Sequence, residues 1–366
     1  MSIFIRHKRF IIVLFSALIL ASMGCGKGAA VPPAPTLAPV VLATDSPAPQ
    51  NEPTPLPQPQ LKYIFLLIGD GMGNAQIQAA NEALLAAQQS PLCFLDVPVH
   101  ASVKTQNVSG SVTYSAAAAT AISTGQKTVN GYLGLDQNKT RIETVAETLR
   151  NLGRKIGILT TVSLDHATPG GFYAHVDSRR SYSMIADDLF ASGFDYFAGG
   201  RFHNTPDAAA YAEENGYTII PSFEEAPTST EGRLILSSSL EFGDYGVVPA
   251  IDGGARTDWL KKATDLGITR LTNPAGFFMM IEGGRIDYFC HYNDAASFVS
   301  ELIDFDKAVQ SALAFYQAHP QETLVLVTAD HETGNVSLTQ GDRGALLRQT
   351  ISSDLCDDTL VKDCVT

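Results

Sequence analysis

The sequence predicts an α/β fold, a mostly parallel central sheet with helices on both faces. Short apolar runs of strand length recur along the chain, each halting at a glycine or an acidic turn, and segments with helical spacing lie between them. A parallel sheet between two helix layers satisfies that alternation. Composition agrees: of 366 residues, 45% are hydrophobic and 17% charged, which is enough apolar surface for a large core and too little charge for a disordered acidic chain.

Arg6, Lys8 and Arg9 precede an apolar run from Phe10 to Ala21. The run is shorter than the roughly 20 residues of a membrane-spanning helix and suits the core of a secretory signal. It closes at Ser22-Met23-Gly24-Cys25, which is similar to a lipoprotein signal with lipid attached at Cys25. Ser22 stands where leucine is usual, so cleavage by an ordinary signal peptidase is the alternative. Residues 1–25 are therefore expected to export the chain and anchor it to the membrane on its extracytoplasmic side. Losing the three basic side chains of residues 1–24 moves the net charge from -13 to -16. A surface of that sign repels nucleic-acid phosphates, so no nucleic-acid partner is expected. Residues 26–60 hold ten of the 19 prolines and no apolar period. They are expected to form a disordered linker, about 3.1 Å per residue where it adopts polyproline II.

The folded domain is expected over residues 61–366. Buried strands are predicted around Tyr63 to Ile68, Ile156 to Thr160, Tyr196 to Ala198, Phe277 to Ile281 and Thr323 to Thr328. Helical spacing covers Ala75 to Gln88, Ala116 to Ser123 with Gly125 as its stop, Ile142 to Leu152, Ser181 to Ser192 and Ala295 to Ala318. Residues 201–270, with a Pro-Thr-Ser-Thr stretch and paired glycines, read as a variable insertion. Of five cysteines, Cys25 is assigned to lipid, Cys356 and Cys364 to a disulfide, and Cys93 and Cys290 to buried thiols.

The residues that follow the strands carry the chemistry. Asp70 comes two residues after the first run, Glu282 directly after the fourth and Asp330 two after the fifth. In an open α/β sheet, ligands bind at that edge. Asp287 and His291 lie four apart, on one face if helical, and Asp330-His331 supplies a second carboxylate–imidazole pair. Oxygen and imidazole donors of this kind suit zinc. So many acids on one edge would repel one another without cations, which predicts a multinuclear metal site. Ser115 opens the alanine-rich helix. Serine there is ordinarily an N-cap, but a helix N-terminus also stabilises an alkoxide or a phosphoserine.

Five motifs occur in one order between residues 62 and 336. They are Ile68-Gly69-Asp70-Gly71-Met72-Gly73; Thr113 to Ala121 with Thr124 to Gly131; His166-Ala167-Thr168-Pro169 through His175 to Arg179; Glu282 to His291; and Thr328 to Gly334. Together they resemble the alkaline phosphatase family. The resemblance implies that family's three-layer sandwich and hydrolysis of phosphate monoesters. It implies Ser115 as the nucleophile, transiently phosphorylated. It implies two zinc ions, one on Asp330 and His331 facing Ser115, the other on Asp287 and His291. A magnesium ion would share Asp70 and take Thr168 and Glu282. Arg179 would clamp the phosphate oxygens with its planar fork, and His166 would lie beside the magnesium position. The family is commonly dimeric.

Two departures stand out. The family usually has aspartate before the nucleophile to orient the arginine; here Tyr114 stands there, leaving Arg179 looser or held by the Tyr114 hydroxyl. The family's zinc on Asp287 and His291 also takes a later histidine, and none follows His331. Truncation at Thr366 is the expectation, with His100, His203 and His319 as other candidate donors. The competing functions are hydrolysis of phosphodiesters or sulfate esters on the same metals, and a non-catalytic phosphate or metal binder. Glu282, Thr168 and Arg179 favour monoesters, because the resemblance assigns them to the third non-bridging oxygen that diesters lack.

Overall fold

Seven parallel strands form one sheet: β1 (Tyr63–Gly69), β2 (Lys155–Ser163), β3 (Tyr196–Gly200), β4 (Tyr217–Ile220), β5 (Arg233–Ser237), β6 (Phe277–Gly283) and β7 (Thr323–Ala329). Their order is β4-β5-β3-β2-β6-β1-β7, and every pairing is parallel. The computed structural model describes residues 61–238, 245–253, 258–338 and 341–355, all within one compact unit, Pro57–Thr366. The leader, Cys25, the proline-rich linker, Cys356 and Cys364 lie outside the described residues. Among the described residues no helix is long and apolar enough to cross a membrane.

The described residues also form nine α-helices: α1 (Asn74–Ala86), α2 (Ser115–Thr124), α3 (Val145–Asn151), α4 (Ala167–Gly170), α5 (Tyr182–Ser192), α6 (Ala208–Glu214), α7 (Trp259–Leu271), α8 (Arg285–His291) and α9 (Ala295–Ala318). Strand alternation divides them into two layers. Phe65 and Leu67 of β1 face the core built with α1, α7, α8 and α9. Leu66 and Ile68 face the core built with α2, α3, α4, α5 and α6. The helix expected from Ile142 starts later, because Thr144 and Glu147 form a reciprocal capping box there.

Residues 201–270, read as a variable insertion, lie in the same compact unit as the rest of the folded chain. The segment supplies β4, β5, α6 and α7 to the same sheet and its flanking layers. Its strands are four and five residues long, and the interior of α7 carries charges and Gly267 that blur its apolar period. Gly267 is there because a Cβ would lie 2.9 Å from Met279 Cε, so α7 sits against β6. Cys93 is corrected: it is half-buried, with its backbone N–H donating to Asp306 Oδ1, while Cys290 is buried.

Strand register explains where the site forms. Ile68 of β1 pairs with Glu282 of β6 and Thr328 of β7, and Thr160 of β2 pairs with Glu282. The chain leaves β1, builds β2, β3, β4 and β5 to one side, then returns to insert β6 beside β1 and to add β7 beyond it. The strand order therefore reverses at β1, and the crevice beyond its carboxyl end is the expected binding edge.

Candidate active site

Three adjacent strand ends deliver three buried carboxylates. Asp70 follows β1, Glu282 is the penultimate residue of β6 and Asp330 follows β7, and none is more than 1% exposed. Gly71, left-handed at φ +65°, turns the chain so that its N–H donates to Asp330 Oδ1 at 3.0 Å. A side chain at Gly71 would strike Thr333 Cγ2 at 2.5 Å and Asp287 Oδ1 at 2.7 Å, so the turn needs glycine for both shape and space.

Ser115 is the first residue of α2, with Tyr114 as the N-cap. Its hydroxyl therefore caps nothing. Instead Oγ lies 3.2 Å from His331 Nε2 and 3.5 Å from Asp70 Oδ1. Small residues allow this approach: a Cβ on Gly171 beside α4 would stand 2.6 Å from Ala119 Cβ, and Ser123 Oγ donates to Gly171 O. His331 Nδ1 lies 3.0 Å from the Glu332 carbonyl, which can only accept. The ring proton therefore sits on Nδ1, and the Nε2 lone pair faces Ser115, Asp70 Oδ1 and Asp330 Oδ2, the last two at 3.3 Å.

Donor atoms of Asp70, Asp330 and His331 lie within 4.8 Å of one another, as do those of Asp70, His166 and Glu282. Thr168 Oγ1 donates to Asp70 Oδ2 at 3.3 Å, and Thr160 donates to Glu282. Burial, then the charges of Asp330, Asp287 and Glu282, push Asp70 well above the usual carboxylate range. Burial pushes Glu282 up to about 8, against the lowering effect of its hydrogen bond from Thr160, and it raises Asp330 as well. Glu282 Oε1, Asp330 Oδ2 and Asp287 Oδ1 are buried without a hydrogen-bond partner. Buried anionic oxygens in that condition fit divalent cations, which would supply the missing partners.

The second pair sits on α8, whose helical spacing brings His291 Nε2 to 3.3 Å from Asp287 Oδ2. Thr333 Oγ1 lies 3.4 Å from the same nitrogen. The His291 side chain is 66% exposed. Arg179 is held by its backbone N–H to Gly131 O at 2.8 Å and by Nη2 to His166 Nε2 at 2.8 Å. Arginine only donates, so His166 accepts and is neutral. Burial, then the Arg179 charge, holds its pKa well below the ordinary histidine value.

Tyr114 is 58% exposed, and its backbone N–H donates to Asn130. Among the described residues its hydroxyl makes no bond to Arg179, so Arg179 is held by His166 rather than by Tyr114. The three substitute histidines are engaged or placed elsewhere. His203 is paired with Asp165, His319 packs on Tyr63 and Phe315 near the opposite strand ends, and His100 lies exposed in the loop after Asp96. Gly71 and Thr333 belong to the site and enter the sequence reading only as members of motifs, with no role of their own; Thr160 was not picked out as a site residue. Thr160 becomes visible only through its register opposite Glu282.

A family model described as alkaline phosphatase matches residues 61–196 and 241–359. The chain belongs to the alkaline phosphatase family. Alkaline phosphatase 4 of Bacillus subtilis is 31% identical over 295 residues, covering 76% of this chain and 63% of that relative. The chain thus spans somewhat less than two thirds of that relative's length. The alkaline phosphatase of the Antarctic bacterium TAB5 superposes with a TM-score of 0.68 at 32% identity, covering 77% of this chain and 82% of the other. A TAB5 variant with magnesium bound in its M3 site gives the same TM-score at 33% identity over the same shares. Family membership and these neighbours agree with the all-parallel α/β sandwich found here.

Proposed function

We propose that the chain hydrolyses phosphate monoesters through a phosphoserine at Ser115. The observation that carries this reading is the Ser115 hydroxyl at a helix N-terminus, caps unmade, 3.2 Å from the His331 Nε2 lone pair and beside Asp70. Asp330 and His331 would hold one zinc ion, Asp287 and His291 a second, and Asp70, Thr168 and Glu282 a magnesium ion, in line with the magnesium reported for the TAB5 variant. Bound there, the cations would supply Lewis acidity and neutralise the phosphoryl charge.

The protein's own residues would do the rest. Ser115 Oγ attacks phosphorus as its proton is lost to solvent water, the P–O bond to the alcohol breaks, and the departing alkoxide takes a proton from water. The dipole of α2 stabilises negative charge at Ser115 before and after transfer. Arg179 donates two parallel bonds to non-bridging oxygens. Water then cleaves the phosphoserine, releasing phosphate and restoring the hydroxyl. We further propose export and tethering through lipid at Cys25, with phosphate released outside the cytoplasmic membrane.

The test is hydrolysis of an aryl phosphate by the chain supplied with zinc and magnesium, beside Ser115→Ala. The expected outcome is turnover that drops by about 1,000-fold or more in the variant, without a phosphoenzyme and with metal content unchanged. Retained turnover in Ser115→Ala would remove it from the nucleophile role. Metal-loaded wild-type protein that binds phosphate without turnover would favour the binder.

A further inference from the structure

Beside the Arg179–His166 pair lies a second histidine that the reaction does not use. His203, in the loop after β3, is gripped by the fully buried Asp165: Nδ1 stands 2.9 Å from Oδ1, and its backbone N–H donates to Oδ2 at 2.8 Å. Its ring stacks on Tyr182 at 3.9 Å and 8°, and packs on Tyr245 at 4.4 Å. Tyr245 is a non-glycine residue at φ +64°, a strained conformation that persists only where the surroundings fix it. Its carbonyl accepts from the Arg201 N–H at 2.7 Å, which ties it to the end of β3.

These partners converge on one place. Asp165 immediately precedes His166, whose Nε2 accepts from Arg179, and Tyr182 comes three residues after Arg179. One imidazole therefore braces both the segment that carries the acceptor and the segment that carries the guanidinium. We propose that His203 is a positioning residue for the Arg179 clamp, fixing through Asp165 and Tyr182 where the guanidinium meets the phosphate oxygens. This rests on the phosphatase reading above. Two side chains ordered against each other only through a third should show a coupling that vanishes when the third is removed.

The experiment is calorimetric titration of the zinc- and magnesium-loaded full chain with inorganic phosphate. The proteins are wild type, Arg179→Ala, His203→Ala, the double variant, His203→Asn and His203→Phe, with thermal unfolding of each. His203→Ala is expected to weaken phosphate binding by about fivefold to tenfold, and to weaken it by less than about twofold in the Arg179→Ala background. His203→Asn, which keeps a donor for Asp165, should recover part of the affinity, whereas His203→Phe, which keeps only the ring stack, should recover less. Should His203→Ala fail to fold, the Asn and Phe variants carry the comparison. Unchanged phosphate affinity in the folded His203 variants, or an equal loss with and without Arg179, overturns the proposal. Wild type that neither binds phosphate nor turns over ester would instead overturn the function itself, and this inference with it.

Discussion

The two halves of the site are built differently. On one side Asp70, Glu282 and Asp330 are buried at the ends of three adjacent strands, and burial, reinforced by the charges of neighbouring carboxylates, drives their pKa values upward. On the other side Asp287 and His291 ride on a two-turn helix, with the His291 side chain 66% exposed. A buried set of acids is costly without cations but is rigidly organised, because the sheet register fixes it. The α8 pair is half open: the His291 ring stands in solvent, while the Asp287 side chain is 16% exposed. The difference teaches that the halves answer to different forces, desolvation in one and local helical geometry in the other.

Gly71 joins the halves, so its substitution should have the largest effect. Gly71→Ala places a methyl group against Thr333 and Asp287 and forces a left-handed alanine. The expected loss is about 100-fold in kcat/KM with at least about 1–2 kcal/mol of stability. Loss of metal from only one half, by elemental analysis, would break the link drawn here.

Next comes pH. In chelator-treated protein the folded Glu282 titrates near 8 against an ordinary 4.5. Between those values the folded state keeps a proton that the unfolded state has released, so stability is present at the low end and falls as pH rises toward about 8. The urea midpoint should decline across that window and flatten once metal is restored. A midpoint that climbs with pH would contradict the desolvated half.

A smaller effect separates the halves directly. Asp330→Asn keeps the acceptor for the Gly71 and His331 N–H groups while removing one buried charge. Metal-free protein should therefore gain about 1 kcal/mol. Asp287→Asn should gain less, since its partner is solvated. Equal gains in thermal unfolding would erase the distinction. Smallest of all is Tyr114→Phe, expected to change stability by less than about 0.5 kcal/mol because the exposed hydroxyl makes no hydrogen bond among the described residues; a marked rise in KM would restore a role for it.

The acids at the ends of β1, β6 and β7 were legible because a buried strand announces itself as an apolar run, and a carboxylate at its end has few structural reasons to be there. Ser115, the proposed nucleophile, was legible as a serine opening an alanine-rich helix, although the N-cap position belongs to Tyr114. The strands β4 and β5 were not: four or five residues amid Ser, Thr and Pro carry too short a pattern to stand out, and only the pairing of β5 to β3 and of β4 to β5 makes them strands. The brace of Asp165 and His203 was equally silent, since 38 residues separate its members.

By itself, then, the sequence determined the layer architecture, the family and the residue types on the binding edge, because periodicity and local motifs are properties of neighbouring residues. Tertiary structure alone decided which oxygens are buried without partners, that Arg179 is held by His166, and that Thr160 faces Glu282. Those depend on register and desolvation, which exist only once distant segments are brought together.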